Sequence, residues 1–347
     1  KRQLCGKIGV THSDRRRPKA DHPGYICSPS RLVRCIQLSL ESNQAVCFPL
    51  PCLSPNCGLS AGDLTAVGCV QNCHPFIAFL PSAKTERRHI ALDGGGVEAE
   101  AFTKIFFRPN KFYLMISAVP GHVKWLKNSG KSLTAKSGEK VQVWALTPSD
   151  HQAVLTEWAK HFRQHYCLDS EIDTLRAGTG LSRTNYLLTL VFPDNAAAPG
   201  PSIRAGDFSE ILVADYLQYV LGYWVPRGRY SEKAIRNESA KGVDVLGFRL
   251  KKNGHIDPKD EMVTFEVKAQ LSGNKPVNRL QDAVDDSAKD NLRKAYSLNA
   301  AKRRLLATKN GAGAAIVERF QDASDRPYKD LTGAAAVFCD SVFDTNS

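Results

Sequence analysis

Three ionisable residues stand out by type and spacing. Glu266 and Lys268 form an E-x-K triplet inside the apolar run MVTFEVKAQL, and Asp244 sits in GVDVLGFRL about twenty residues earlier. Phosphodiester hydrolysis needs a divalent cation held by hard oxygen ligands, a water placed for in-line attack, and positive charge near the developing pentacovalent phosphate. Two carboxylates and a lysine supply those parts if they converge. An isolated E-x-K arises by chance in many chains of this length, and the plain alternative makes Glu266 and Lys268 a solvated strand face and Asp244 a turn residue. The ordered combination is more specific: a helix bearing Glu210, then Gly-x-Asp on a strand, then an apolar-flanked E-x-K.

The elements that must position these residues are legible nearby. Val263, Phe265 and Val267 alternate with Glu266 and Lys268, so a strand places the two charged residues on one face. Gln270, two positions further, shares that face and is expected to line the site. Val243, Val245 and Phe248, bracketed by Gly242 and the polar run KKNGHIDPKDE, predict the preceding strand of a hairpin, with Asp244 as an antiparallel neighbour. Upstream, Phe208, Ile211, Leu212, Tyr216, Leu217 and Tyr219 recur at helical spacing. Glu210 falls in the first turn of that helix, either as a charge favoured by the helix dipole or as a functional carboxylate.

The pattern GDFSEILVADYL…KGVDVLGF…TFEVKAQ resembles the core of the P-D-(D/E)-x-K nuclease superfamily, over roughly residues 180–310. Within it the sequence is most similar to the HamA nuclease subunit of the Hachiman anti-phage defence system, which shares an R-x-G-D/E-x-x-E helix, a G-x-D strand and an E-x-K strand. The resemblance implies an α+β (α/β) protein whose C-terminal part is a restriction-endonuclease-like αβββαβ core. It implies that Asp244 and Glu266 bind Mg²⁺ or Mn²⁺, that Lys268 positions the water or stabilises phosphate charge, and that Glu210 is an accessory helix carboxylate. It also implies DNA as substrate and a superfamily 2 helicase as partner. Two rivals stay open: a restriction or repair endonuclease of the same superfamily, and a catalytically silent DNA-binding module that keeps the fold.

Charge agrees with a polyanionic partner. Lys and Arg exceed Asp and Glu by 47 − 35 = +12, which gives a field attractive to nucleic acid or anionic membrane. Arg227, Arg229, Lys233, Arg236 and Lys241, interleaved with Tyr223, Trp224 and Tyr230, read as a phosphate-tracking approach or as a solvated loop. The helix-like stretch from Asp282 to Leu306, with Lys302, Arg303 and Arg304, extends that footprint. The glycines at 94–96 lack the Lys-Ser/Thr of a phosphate-binding loop, so a turn is expected there. No apolar run reaches the ~18 residues of a membrane span, and a soluble cytoplasmic protein without membrane contact is expected.

The remaining organisation reads as three parts. Residues 1–90 hold eight of the ten cysteines and the basic cluster Arg15, Arg16, Arg17 and Lys19, with little periodicity; they read as a poorly ordered or non-native segment. Their cysteine spacings are irregular and lack the C-x2-C pairs of zinc sites. The chain begins at Lys1, with no methionine before Met115, and reads as a fragment or as starting upstream of a natural start. Residues 91–195 read as a smaller β-rich accessory domain, with strands at KIFFRP, KFYLMISAV, KVQVWAL and YLLTLVF, and 200–347 as the nuclease domain after the linker NAAAPGPS. Between the strands, HQAVLTEWAKHFRQHYC places Val154, Trp158, His161, Phe162 and His165 on one helical face. No acidic or third ligand stands beside the two histidines, so they read as partly buried imidazoles and not as a metal site.

Overall fold

The computed structural model describes residues 118–343, apart from 135–137, 139, 252–254 and 274, together with three short strands further upstream. Those strands are β1 (Ile36–Leu40), β2 (Gln44–Phe48) and β3 (Phe76–Leu80). β1 and β2 pair antiparallel as a small sheet of their own. The expected strand KIFFRP, most of KFYLMISAV, the glycines at 94–96 and the basic cluster at Arg15–Lys19 lie outside the described residues.

The main sheet has six strands. Besides β3 it contains β4 (Leu126–Thr134) and β5 (Lys140–Leu146), which includes the expected strand KVQVWAL. After α1 (Gln152–Gln164), α2 (Ile172–Arg176), α3 (Arg183–Tyr186) and α4 (Gly200–Asp215) come β6 (Val245–Arg249) and β7 (Glu261–Gln270). Three helices, α5 (Arg279–Ser287), α6 (Asp290–Ala307) and α7 (Gly311–Arg319), then lead to β8 (Lys329–Phe338). The order is β4-β5-β3-β8-β7-β6, and only β7 and β8 run parallel. A parallel pair cannot be closed by a tight turn, which is why α5–α7 intervene between them.

β7 is buried on both faces, and alternation sorts its side chains. Val263, Phe265 and Val267 join Val245 in a core with Phe162 of α1 and Phe208 and Ile211 of α4. Met262 turns the other way, with Leu246 and Phe248 of β6, and packs on Leu298 and Leu305 of α6 and Val317 of α7. The sheet is therefore covered by helices on both sides, the arrangement in which strands read as near-continuous apolar runs.

Two expectations need correction. The YLLTLVF stretch is helical: Ser182 caps α3 by accepting from the Asn185 amide at 3.2 Å, and a π turn continues through Leu187–Val191. Only Leu187 and Phe192 of that segment are fully buried hydrophobics, while Leu188 and Leu190 are exposed, so a continuous apolar run was not a two-faced strand. The linker NAAAPGPS is absorbed into a tight turn, in which the Asp194 carboxylate accepts from the Ala196 and Ala197 amides, and into the start of α4. β4 and β5 lie in one sheet with β6–β8, and one core draws on residues from both sides of 195–200. Phe76–Leu80 forms a strand between β5 and β8; five apolar residues between Pro75 and Pro81 are too few to show a period.

The β count within the C-terminal part is also specific. Between α4 and α5 stand two strands, β6 and β7, and one isolated antiparallel bridge in which Trp224 and Phe248 exchange backbone hydrogen bonds of 2.7 and 2.8 Å. No helix among the described residues is long and apolar enough to cross a membrane.

Candidate active site

Asp244 immediately precedes β6, and the β6–β7 register pairs Val245 with Phe265. The Val267 amide donates to Asp244 Oδ2 at 2.9 Å, which holds the carboxylate at the Glu266–Val267 step of the neighbouring strand. Glu266 and Lys268 share one face of β7, as alternation requires, and point toward α5 and α6. Lys268 Nζ donates to Glu266 Oε1 at 2.8 Å and lies 2.7 Å from Asp286 Oδ2 on α5. Although burial works against its charge, the hydrogen bonds to Asp286 and Glu266 push the Lys268 pKa up to about 12.

The Glu266 carboxylate is 5% exposed, and its Oε2 makes no hydrogen bond, with Arg293 Nη1 at 3.6 Å. A buried, unbonded carboxylate oxygen is costly unless a cation meets it. At Asp244, burial and then the Glu210 charge push the pKa well above the usual carboxylate range, with Glu266 adding to the rise. Two carboxylates, one with an oxygen that makes no hydrogen bond and faces only the Arg293 guanidinium, are hard donors of the kind a divalent cation takes, and Asp244 and Glu266 would hold it.

Glu210 is not the first-turn charge expected from the sequence. α4 begins at Gly200, ten residues earlier, so the helix dipole has no role and the contacts of Glu210 are tertiary. Its Oε2 accepts from the Tyr230 hydroxyl at 2.8 Å and lies 3.2 Å from Arg229 Nη1. The same Nη1 is 3.8 Å from Asp244 Oδ1, so one guanidinium links the helix carboxylate to the hairpin carboxylate. Burial raises the Glu210 pKa despite Arg229. Glu210 and Asp244 line one cavity of about 360 Å³.

Four of the five residues expected to approach phosphate are turned into the fold. Arg227 binds Gln218 Oε1 and lies 2.8 Å from Asp215 Oδ1. Arg229 donates to the carbonyls of Ala240, Val243 and Asp244. Lys233 pairs with Asp207, which also accepts from the Tyr166 hydroxyl at 2.7 Å. Arg236 spans Asp194 and the carbonyls of Leu188 and Phe192. Lys241 alone of the five is exposed. Gln270, on the same face as Lys268, is occupied by the adjoining loop, donating to the Lys275 carbonyl and accepting from the Val277 amide.

Sequence reasoning missed Asp286 and Arg293, whose roles depend on how α5 and α6 dock. It also missed a second cluster. His122, in the 3-10 turn Gly121–Trp125, and His161, on α1, both contact Asp215 at the end of α4, each with an Nε2-to-oxygen distance of 3.0 Å. The partners of His161 thus come from distant parts of the chain. One signal was available: Asp215 is a carboxylate within the apolar run ILVADYL, and such a group must be paired if buried.

A family model described as HamA matches residues 121–346, which is 226 of the 347 residues and covers both clusters. No curated protein and no solved structure matches the chain.

Proposed function

The chain belongs to the HamA family, and on that premise we propose that it is a metal-dependent DNA endonuclease, the effector of a prokaryotic anti-phage defence system that works with a superfamily 2 helicase. The observation that carries the chemistry is the pinning of Asp244 by the Val267 amide beside Glu266, whose buried Oε2 makes no hydrogen bond. A superfamily nuclease core of the αβββαβ kind is consistent with α4, the Trp224 bridge, β6, β7, the α5–α7 crossover and β8.

Each residue then has a part. Asp244 and Glu266 would hold Mg²⁺ or Mn²⁺, and the ion would supply Lewis-acid polarisation of the phosphodiester and a more acidic water. Lys268, kept protonated by Glu266 and Asp286, stabilises phosphate charge and is no proton acceptor near neutral pH. Glu210 is an accessory carboxylate whose charge Arg229 balances. The net charge of +12 supports DNA as substrate, with exposed Lys241 and Arg303 as backbone contacts.

The direct test is incubation of supercoiled plasmid and linear DNA with the purified chain, alone and with its helicase and ATP, in Mg²⁺, Mn²⁺ or chelator. Cleavage is expected only with the divalent ion and is lost in Asp244→Asn. DNA binding without cleavage under all these conditions identifies the silent module instead.

A further inference from the structure

The His122–His161–Asp215 cluster carries a second inference, independent of the nuclease reading. Among the described residues, one ligand atom from each of these three lies within 4.8 Å of the others. They come from three separate elements: the turn before β4, α1, and the C-terminal end of α4. His122 and Asp215 are buried, at 2% and 1% exposure. The His122 ring stacks on Trp158 at 5.2 Å with planes 13° apart, which leaves its Nε2 edge aimed at the carboxylate.

Proton counting makes the arrangement unusual. His161 Nε2 lies 3.0 Å from both Asp215 oxygens and 3.3 Å from His165 Nε2. An imidazole nitrogen carries one hydrogen or one lone pair, so it cannot serve the carboxylate and a second imidazole nitrogen at full strength. A cation at the focus would engage the His161 Nε2 lone pair together with His122 and Asp215, leaving His165 outside the ligand set. Ligand atoms about 2.0–2.1 Å from a tetrahedral zinc ion sit roughly 3.3 Å apart, near the 3.0 Å at which His122 Nε2 and His161 Nε2 each approach Asp215. The imidazole-rich donor set also suits a borderline ion, whereas an all-oxygen set suits Mg²⁺.

We propose that His122, His161 and Asp215 form a structural zinc site that clamps α4 to α1 and to the turn before β4, with His165 packed beside it. Arg227 Nη2, 2.8 Å from Asp215 Oδ1, is the cation facing the cluster and balances the aspartate in the metal-free protein. The clamp holds the end of the helix that carries Glu210, five residues before Asp215.

The test uses the full chain, stripped with chelator and titrated with Zn²⁺ or Co²⁺. Uptake of about one equivalent at this site, a rise of several degrees in Tm, and a four-coordinate Co²⁺ spectrum with nitrogen and oxygen donors are expected. His161→Gln and Asp215→Asn lose all three, while Asp244→Asn keeps them. Uptake unchanged in both cluster variants, or none by the parent chain, overturns the proposal. Should the variants not fold, X-ray absorption on the zinc-loaded parent decides: a shell containing two imidazoles supports the site, and thiolates alone place the metal on the cysteines and overturn it.

Discussion

Asp244 Oδ2 receives the Val267 backbone amide at 2.9 Å, a bond between the residue before β6 and the residue after Glu266 on β7. Two acidic groups that would otherwise repel are thereby held at one step of a hairpin. The backbone supplies the anchor, so side-chain charge can be altered without losing the geometry.

Asp244→Asn keeps an acceptor for that amide and removes the charge. Folding, followed by circular dichroism, is expected to persist, while Mg²⁺-dependent cleavage falls by ~10²-fold or more. Cleavage at the parent rate would remove Asp244 from the site.

The raised pKa values set a pH dependence. Asp244 is pushed up by burial and by Glu210, and Glu210 by burial. In the unfolded chain both ionise at ordinary carboxylate values, so over the interval up to the raised native values the folded state binds more protons and stability falls as pH rises. In chelator, Tm of the parent relative to Asp244→Asn should therefore decline from acid toward neutral pH, and Mg²⁺ should recover more of it at higher pH. A parent-minus-variant difference that is flat or rises with pH contradicts this.

Lys268 and Asp286 are expected to differ in weight. Lys268→Met removes the ammonium that donates to Glu266 and should lower kcat by ~10²-fold. Asp286→Asn leaves that ammonium in place, held by Glu266, and should cost ~10-fold or less. Steady-state kinetics on a defined duplex ranks the two; an equal or reversed order shows that Lys268 is merely half of a surface ion pair.

Gly242 opens the way into β6. Its φ of +101° is in the left-handed region, and a Cβ there would meet Ser297 Oγ at 2.5 Å, the same oxygen that accepts from the Val243 amide. Gly242→Ala is expected to lose about 1–3 kcal/mol in denaturant melts. An unchanged midpoint for Gly242→Ala rules out this packing.

What could be read from the sequence was whatever one element settles by its own period. Alternation along Val263–Lys268 put Glu266 and Lys268 on a common face, helical spacing from Phe208 onward marked α4, and the brackets around GVDVLGF marked the hairpin that brings Asp244 alongside. These relations hold because backbone geometry repeats every two or 3.6 residues regardless of surroundings. The tertiary structure alone decided that Glu210 lies deep in its helix against Arg229, that Arg227, Lys233 and Arg236 turn inward to carboxylates, and that YLLTLVF coils instead of extending. It alone brought His122, His161 and Asp215 together across ninety-three residues of chain. Such meetings follow from which faces dock, a matter of buried area and shape summed over many residues, and sequence separation carries no record of it.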